Sequence, residues 1–405
     1  MASRGTVQDV TTSIIEACHR GYAPERLKTE VLARMRRVLP VDALWWATSD
    51  PATLLFTQAF REGIPDRTTG DFINNEFRGH DHNQWTELAQ NAVGVRTLFR
   101  ATGDDLHASA RYRDLLEPLG LGDELRAVLR TGDTCWGLMC LHREIGHTFS
   151  DPEVSFIKRL TPHLAEGLRA GLLMPAVTRP TPDAPGLVVL DRSGELIAAT
   201  EAARIWFAEL GQPSADTGVP AEVRTAAALL RRPDNNHQPE VAARVPRLRL
   251  RTKAGQWIVL HASRLSGPHG DGGQIAVIIE PATPTEVAAV IMRAYGLTER
   301  ERAVTGLLCT GRSTAQITAE LWISPNTLQD HLKSVFNKTG VHSRREVMAA
   351  ILRDHYLPGL KSSHPVDPAG YFTLPLGVAS APTLSDPGSI PKARAVPIAA
   401  RKRVR

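Results

Sequence analysis

The clearest alternation of apolar and polar positions lies between Gly296 and Leu352, where four short apolar stripes recur at helical spacing. Ala303, Val304, Leu307 and Leu308 form the first stripe and Ile317 and Leu321 the second. Leu328, Leu332, Val335 and Phe336 form the third, and Met348, Ile351 and Leu352 the fourth. Each stripe is preceded by a helix-start signal. Thr298 with Glu301, Ser313 with Gln316 and Ser343 with Glu346 are capping boxes, in which the hydroxyl accepts an orphan helix N–H and the longer side chain returns to the cap. Ser324 followed by Pro325 is a capping hydroxyl and then a proline whose missing N–H costs nothing at the first helical position. Gly311 and Gly340 stand where helices should stop. Helices this short are marginal alone, so the stripes predict an all-α four-helix bundle. Ser313–Leu321 and Pro325–Thr339, joined at Trp322 and Ile323, have the lengths of a helix-turn-helix whose span runs from Ser313 to Leu332.

Opposite its buried stripe, the second helix of that pair presents Asn326, Gln329, Asp330, Lys333 and Asn337. Side chains of this kind reach base edges in a major groove: Lys333 suits guanine O6 and N7, Gln329 suits adenine N6 and N7, and Asp330 can only accept, for instance from cytosine N4. We expect base contacts from Asn326, Gln329, Asp330 and Lys333. Ser324, Thr327, His331, Lys338 and Arg344 are expected on phosphates, which position without specifying sequence. The residues Leu297-Thr298, Glu299-Arg300-Glu301, Gly311, Ile317, Leu321, Ser324-Pro325-Asn326-Thr327, His331, Lys338, Gly340 and Ser343-Arg344 resemble the DNA-binding domain of LuxR-type (NarL/FixJ-type) transcriptional regulators. The departures are Thr318 for a usual alanine, Thr339 for a usual leucine and the acidic Asp330. The resemblance covers about a seventh of the chain. It implies double-stranded DNA as partner and, with one short helix per groove, two copies on two half-sites, the helix at Arg344–Arg353 helping to pair them.

Upstream the pattern changes to mixed helices and strands. Two helical patterns fill Val10–Leu39 and stop at Pro40; strands follow at Ala43–Thr48 and Leu54–Phe60. Helices are expected around Phe72–Phe77, Trp85–Asn91 and Ser109–Leu116, then strands Glu124–Arg130 and Cys135–His142 about a Thr131-Gly132-Asp133-Thr134 turn. A long helix capped by Ser150 and Glu153 closes the unit. Its ending, W-G-L-M-C-L-H-R-E and then F-S-D-P-E-V and R-L-T-P-H-L, resembles a GAF domain. Met174–Pro185 reads as a linker. Beyond it come strands Leu187–Leu190 and Glu195–Ala199, helices through Ala202–Leu210 and Ala221–Arg231, and strands Arg247–Arg251, Trp257–Leu265 and Gln274–Glu280, an order that resembles a PAS domain. Residues 281–292 carry the chain into the bundle.

The fold class is therefore multidomain: an α+β GAF-like domain (10–175), an α+β PAS-like domain (184–282), the helix-turn-helix domain (288–356) and a basic tail (358–405) too poor in apolar pattern to fold. The formal charge of +5 resembles a nucleic-acid signal until it is located. Residues 360–405 hold seven Lys or Arg and two Asp or Glu, which leaves 41 of each sign over 1–359. The expectation of DNA binding therefore rests on the motif. No apolar run suits a membrane span or a secretion signal, and four cysteines without paired spacing fit reduced thiols, so a cytoplasmic protein is expected.

Candidate chemistry elsewhere is thin. The glycine-rich Gly267–Gly273 precedes a strand and reads as a hairpin loop. His80, His82, His142 and His147 lack metal-ligand spacing and read as solvated loop histidines. Cys135 and Cys140, five apart, face opposite sides of a strand unless a bulge intervenes. Trp45, Trp46 and Phe56 read as core rather than cavity lining. We therefore expect no metal, no cofactor and no enzyme. The expected regulator has a sensor-like front half, answering a small molecule or protein, that modulates DNA binding. The rivals are a small-molecule hydrolase or kinase with a helical appendage, and an interaction scaffold. A cavity would favour sensing and a filled core scaffolding.

Overall fold

The computed structural model of the chain describes residues 4–347 apart from 79, 92–93, 174–183, 212–216, 229, 231–246 and 268–269. Most of the expected linker, the tail, the fourth apolar stripe and the end of the Ala221–Arg231 helix lie outside the described residues.

Two helices, α1 (Arg4–Cys18) and α2 (Pro24–Met35), lead into β1 (Ala43–Ser49) and β2 (Phe56–Glu62). After α3 (Thr69–Arg78), α4 (Trp85–Gln90), β3 (Val95–Thr97) and α5 (Leu98–Ala101) come the paired strands β4 (Leu121–Thr131) and β5 (Thr134–Glu144), then α6 (Asp151–Leu172). The helix expected at Ser109–Leu116 is present from 110 to 116, wound wide over Tyr112–Leu116, and gives way at Glu117 and Pro118, since proline cannot prolong a helix. The strands form one antiparallel sheet in the order β2-β1-β5-β4-β3.

Strand alternation splits the Trp45-Trp46 pair between the two faces of this sheet. Trp46 packs with Met139, Leu141, Ile157, Leu160 and Leu164 under α1, α2 and α6. Trp45 packs with Phe56, Phe72, Phe77 and Trp85 under α3 and α4. In the β4–β5 ladder the register slips, Leu129 opposing Gly137 while Arg130 opposes Cys135, so Trp136 is the extra residue of a bulge. That bulge brings Cys135 and Cys140 into the same core, which simple alternation did not foresee. Gly137 has no room for a side chain: a Cβ there would stand 2.8 Å from the carbonyl oxygen of Ala47.

The face under α3 and α4 also buries charge. Glu124 opposes His142, and Arg126 opposes Cys140, two rungs apart on the ladder with the Leu125–Leu141 pair between them. Arg126 donates through Nη1 to Glu76 Oε2 at 2.8 Å, and its Nε lies 3.0 Å from Glu124 Oε2. Its guanidinium sits 4.7 Å above the Trp85 ring. Arg111 donates through Nε to Glu124 Oε2 at 2.8 Å and lies 3.8 Å from Asp81. Burial would raise the Glu124 carboxyl, but Arg111 and Arg126 outweigh it and hold it down to about 2. Burial, helped by both guanidiniums and opposed by Glu124, pushes His142 down to about 4, so its ring is neutral at pH 7. His142 is thus a buried strand residue and not the solvated loop histidine expected; His80 and His147 are exposed. Beside it lies a cavity of about 20 Å³, room for roughly one water, lined by Trp45, Phe72, Leu115 and Leu119.

The second unit repeats the topology. Strands β6 (Gly186–Leu190) and β7 (Leu196–Ala199), helices α7 (Glu201–Glu209) and α8 (Ala221–Ala228), and strands β8 (Arg247–Arg251), β9 (Trp257–Gly267) and β10 (Gly270–Pro281) give the sheet order β7-β6-β10-β9-β8. Gly267 pairs with Gly270, so β9 and β10 run into the glycine-rich stretch that had been read as loop. The two units are docked by a buried ion pair: Asp50 accepts from the Arg249 amide at 3.1 Å and from its Nε at 2.9 Å. Arg251 reaches the carbonyls of Gly171 and Leu172 at the end of α6, each at 3.4 Å.

Where residues 281–292 had been read as a plain connection, α9 (Pro284–Ala294) forms behind a Thr283–Glu286 capping box. Among the described residues no helix is long and apolar enough to cross a membrane.

Candidate nucleic-acid interface

The helical module begins with α10 (Glu299–Cys309), α11 (Thr314–Leu321) and α12 (Pro325–Thr339), and a further helix opens at 344 and runs to the last described residue. Every predicted cap is in place. Glu301 accepts from the Thr298 amide at 2.7 Å while Thr298 accepts from the Glu301 amide, and Ser313 with Gln316 pairs in the same way; Ser343 accepts from the Glu346 amide, but the Glu346 carboxylate accepts from the His342 amide, one residue before the cap. Ser324 Oγ accepts from the Thr327 amide at 3.1 Å. The α11–α12 turn is closed by Trp322 in the left-handed region (φ 54°), its side chain 92% exposed. Gly340 ends α12 at φ 70°.

Packing fixes the rotation of α12. Leu328 and Leu332 are buried against Val304, Leu308 and Ile317 from the two preceding helices. Val335 joins Ala288 and Met292 of α9. With those positions inward, Asn326, Asp330, Lys333 and Asn337 stand exposed in one stripe, three or four residues apart, with the exposed Gln329 beside Asp330. Asp330 and Lys333 enter no ion pair among the described residues, so both heads are available.

The residues expected on phosphates divide. Ser324 and Thr327 are exposed at the N-terminus of α12, their hydroxyl oxygens 2.9 Å apart, where the helix dipole favours an anion. His331 is half-buried. Lys338 is already engaged, its Nζ 2.7 Å from Glu301 Oε2. Arg344 Nη1 donates to Thr314 Oγ1 at 3.1 Å and ties the last helix to the start of α11. Glu301 is the residue that sequence reasoning undervalued. Beyond its capping role it accepts from Ser334 at 2.6 Å and from Lys338, and so holds α12 against the first turn of α10. The Thr298–Glu301 spacing signalled only the cap; the reach to Ser334 and Lys338, 33 and 37 residues away, left no local signal.

Residues 296–351 match the model of "Bacterial regulatory proteins, luxR family". The spore germination protein GerE of Bacillus subtilis (strain 168) is 39% identical over 57 residues, which make up 14% of this chain and 77% of GerE. The probable transcriptional regulatory protein NarL of Mycobacterium tuberculosis (strain ATCC 25618 / H37Rv) is 34% identical over 61 residues, 15% of this chain and 28% of NarL. Among solved structures, the GAF domain of a phosphoenolpyruvate-protein phosphotransferase from Coxiella burnetii superposes with a TM-score of 0.28 at 13% identity, covering 41% of this chain and 95% of that one. The capped helix-turn-helix and the extent of the GerE match agree: the chain belongs to the luxR family of bacterial regulatory proteins.

Proposed function

We propose that this DNA-binding transcriptional regulator lays α12 in the major groove of double-stranded DNA, reads bases with Asn326, Gln329, Asp330 and Lys333, and anchors on phosphates through Ser324, Thr327 and His331. The observation that carries the reading is the exposed polar stripe on α12 opposite its buried one, on a helix whose start carries two exposed hydroxyls. Lys338 and Arg344 join the phosphate set only by sharing their intramolecular partners. Lys333→Ala should weaken binding to the preferred site by about 1–3 kcal/mol and relax one base position. Selection of binding sites from a random duplex pool, followed by titration, reads both effects. Unchanged affinity with unchanged preference would put a different face in the groove.

The protein binds as a homodimer on two half-sites in this reading, because one short helix in one groove covers few base pairs. Sedimentation of the saturated DNA complex should give two chains per duplex, and a single chain at saturation would overturn the pairing.

The front half is assigned as a GAF-like domain over 10–175 and a PAS-like domain over 184–282 of a cytoplasmic sensor. Two strands, intervening helices and three strands recur in both units with one shared sheet order. The cavity beside His142 bears on the signal: at about 20 Å³ it has room for roughly one water. That size favours a protein partner or a very small inorganic species over a metabolite.

A further inference from the structure

Three side chains with metal-ligating atoms meet in the core of the first sheet. Glu124, Cys140 and His142 lie on one face of the β4–β5 ladder, and one ligand atom from each falls within 4.8 Å of the others. All three are buried. Buried polar atoms are normally satisfied, yet both ring nitrogens of His142 and Oε1 of Glu124 have no hydrogen-bond partner. His142 is only 1% exposed, so bulk solvent does not serve it.

The surroundings fit a cation. Arg111 and Arg126 both hold Oε2 of Glu124, which orients the carboxylate and leaves Oε1 without a hydrogen-bond partner. The two guanidiniums face three carboxylates, those of Glu76, Asp81 and Glu124, so one negative charge remains even before Cys140 ionises. A thiolate at Cys140 makes two, which a divalent ion neutralises. His142 also lines the cavity that admits one water, next to Trp45, Phe72 and Leu115.

We propose that Glu124, Cys140 and His142 bind one divalent metal ion, zinc by the chemistry of the donors, with a water from the adjoining cavity in the fourth position. Thiolate, imidazole and carboxylate are the zinc set, and three protein ligands with one open position is a common tetrahedral arrangement. Binding releases the Cys140 thiol proton to solvent and changes no oxidation state. The inference reverses the expectation from sequence spacing that the front half folds without metal, and it is independent of how α12 meets DNA.

The test uses the full chain. Elemental analysis after dialysis against metal-free buffer should find about one zinc per chain. Replacement by Co²⁺ should give a thiolate-to-cobalt charge-transfer band with the intense visible bands of a tetrahedral ion. Cys140→Ser and His142→Asn should abolish both, whereas Cys135→Ser, which alters a neighbouring core thiol outside the cluster, should keep both. X-ray absorption at the zinc edge of the unmutated protein, with one sulfur and the rest nitrogen and oxygen, decides the matter even if a variant fails to fold. Protein that neither retains zinc nor takes up cobalt would overturn the site. So would metal retained in full by Cys140→Ser, or a zinc coordinated by several sulfurs or by none.

Discussion

Replacing Arg126 by methionine should destabilise the first sheet unit by about 3–5 kcal/mol, because the change leaves buried carboxylates without their counter-charge. Arg126 and Glu76 are both buried, and their bond at 2.8 Å cannot be replaced by water. Glu124 keeps Arg111, so the loss falls mainly on Glu76, whose Oε1 still accepts from the Trp85 amide at 2.6 Å. The midpoint of urea unfolding, followed by tryptophan fluorescence, measures the cost. Adding Glu76→Gln to the same chain should recover part of it, since an amide is far cheaper to bury than a lone carboxylate. A loss below about 1 kcal/mol would mean that the pair is hydrated.

The second large effect is expected at Glu301. Glu301→Ala removes one capping partner and the acceptor for Ser334 and Lys338 together, at a cost of about 2–3 kcal/mol once the partial exposure of Lys338 is discounted. Burial acts to raise this carboxyl, but the bonds from Lys338, Ser334 and the Thr298 amide prevail and hold it below the usual carboxylate range. A group depressed in the folded state adds stability that is complete above its unfolded value, roughly 4.3, and is lost as the pH falls through the lower folded value. Acid should therefore release α12 from α10 in the natural chain, and the alanine variant should lack this component of the pH dependence. Amide hydrogen exchange over 299–339 reads both. Protection in the variant that matched the natural chain would show that the carboxylate does not hold these helices together.

What was legible in the sequence followed from how local each signal is. The caps of α10, α11 and α12 involve residues three apart, and the recognition stripe follows from helical rotation once Leu328 and Leu332 are placed inward. The same reasoning should have found α9, since Thr283 and Glu286 form the same box ahead of an apolar run. Cys140 and His142 two apart on a strand were also a readable signal, because that spacing puts both on one face. Their convergence with Glu124 was not readable, because it depends on which rung of β4 opposes which rung of β5. The Trp136 bulge and the three-residue β3 left no trace in the alternation, one being an offset and the other too short to alternate.

One consequence of α9 concerns phase. Ala288 and Met292 are set among Leu297, Val335 and Val347 of the helical module, while Val290 and Ala294 belong to the core shared by α1, α2 and α6. Arg169 of α6 also donates to the carbonyl of Ala294. Two residues along a helix are about 200° of rotation, so these pairs look in nearly opposite directions. The helix is therefore seated on two sides at once, like a key cut on both edges. A single residue inserted at its middle would turn one half by about 100° against the other and leave each seat with only one of its two residues. The spacing from Ala288 to Ala294 is thus an angular setting between the sensor-like half and the DNA-reading half, and composition can vary there far more freely than length.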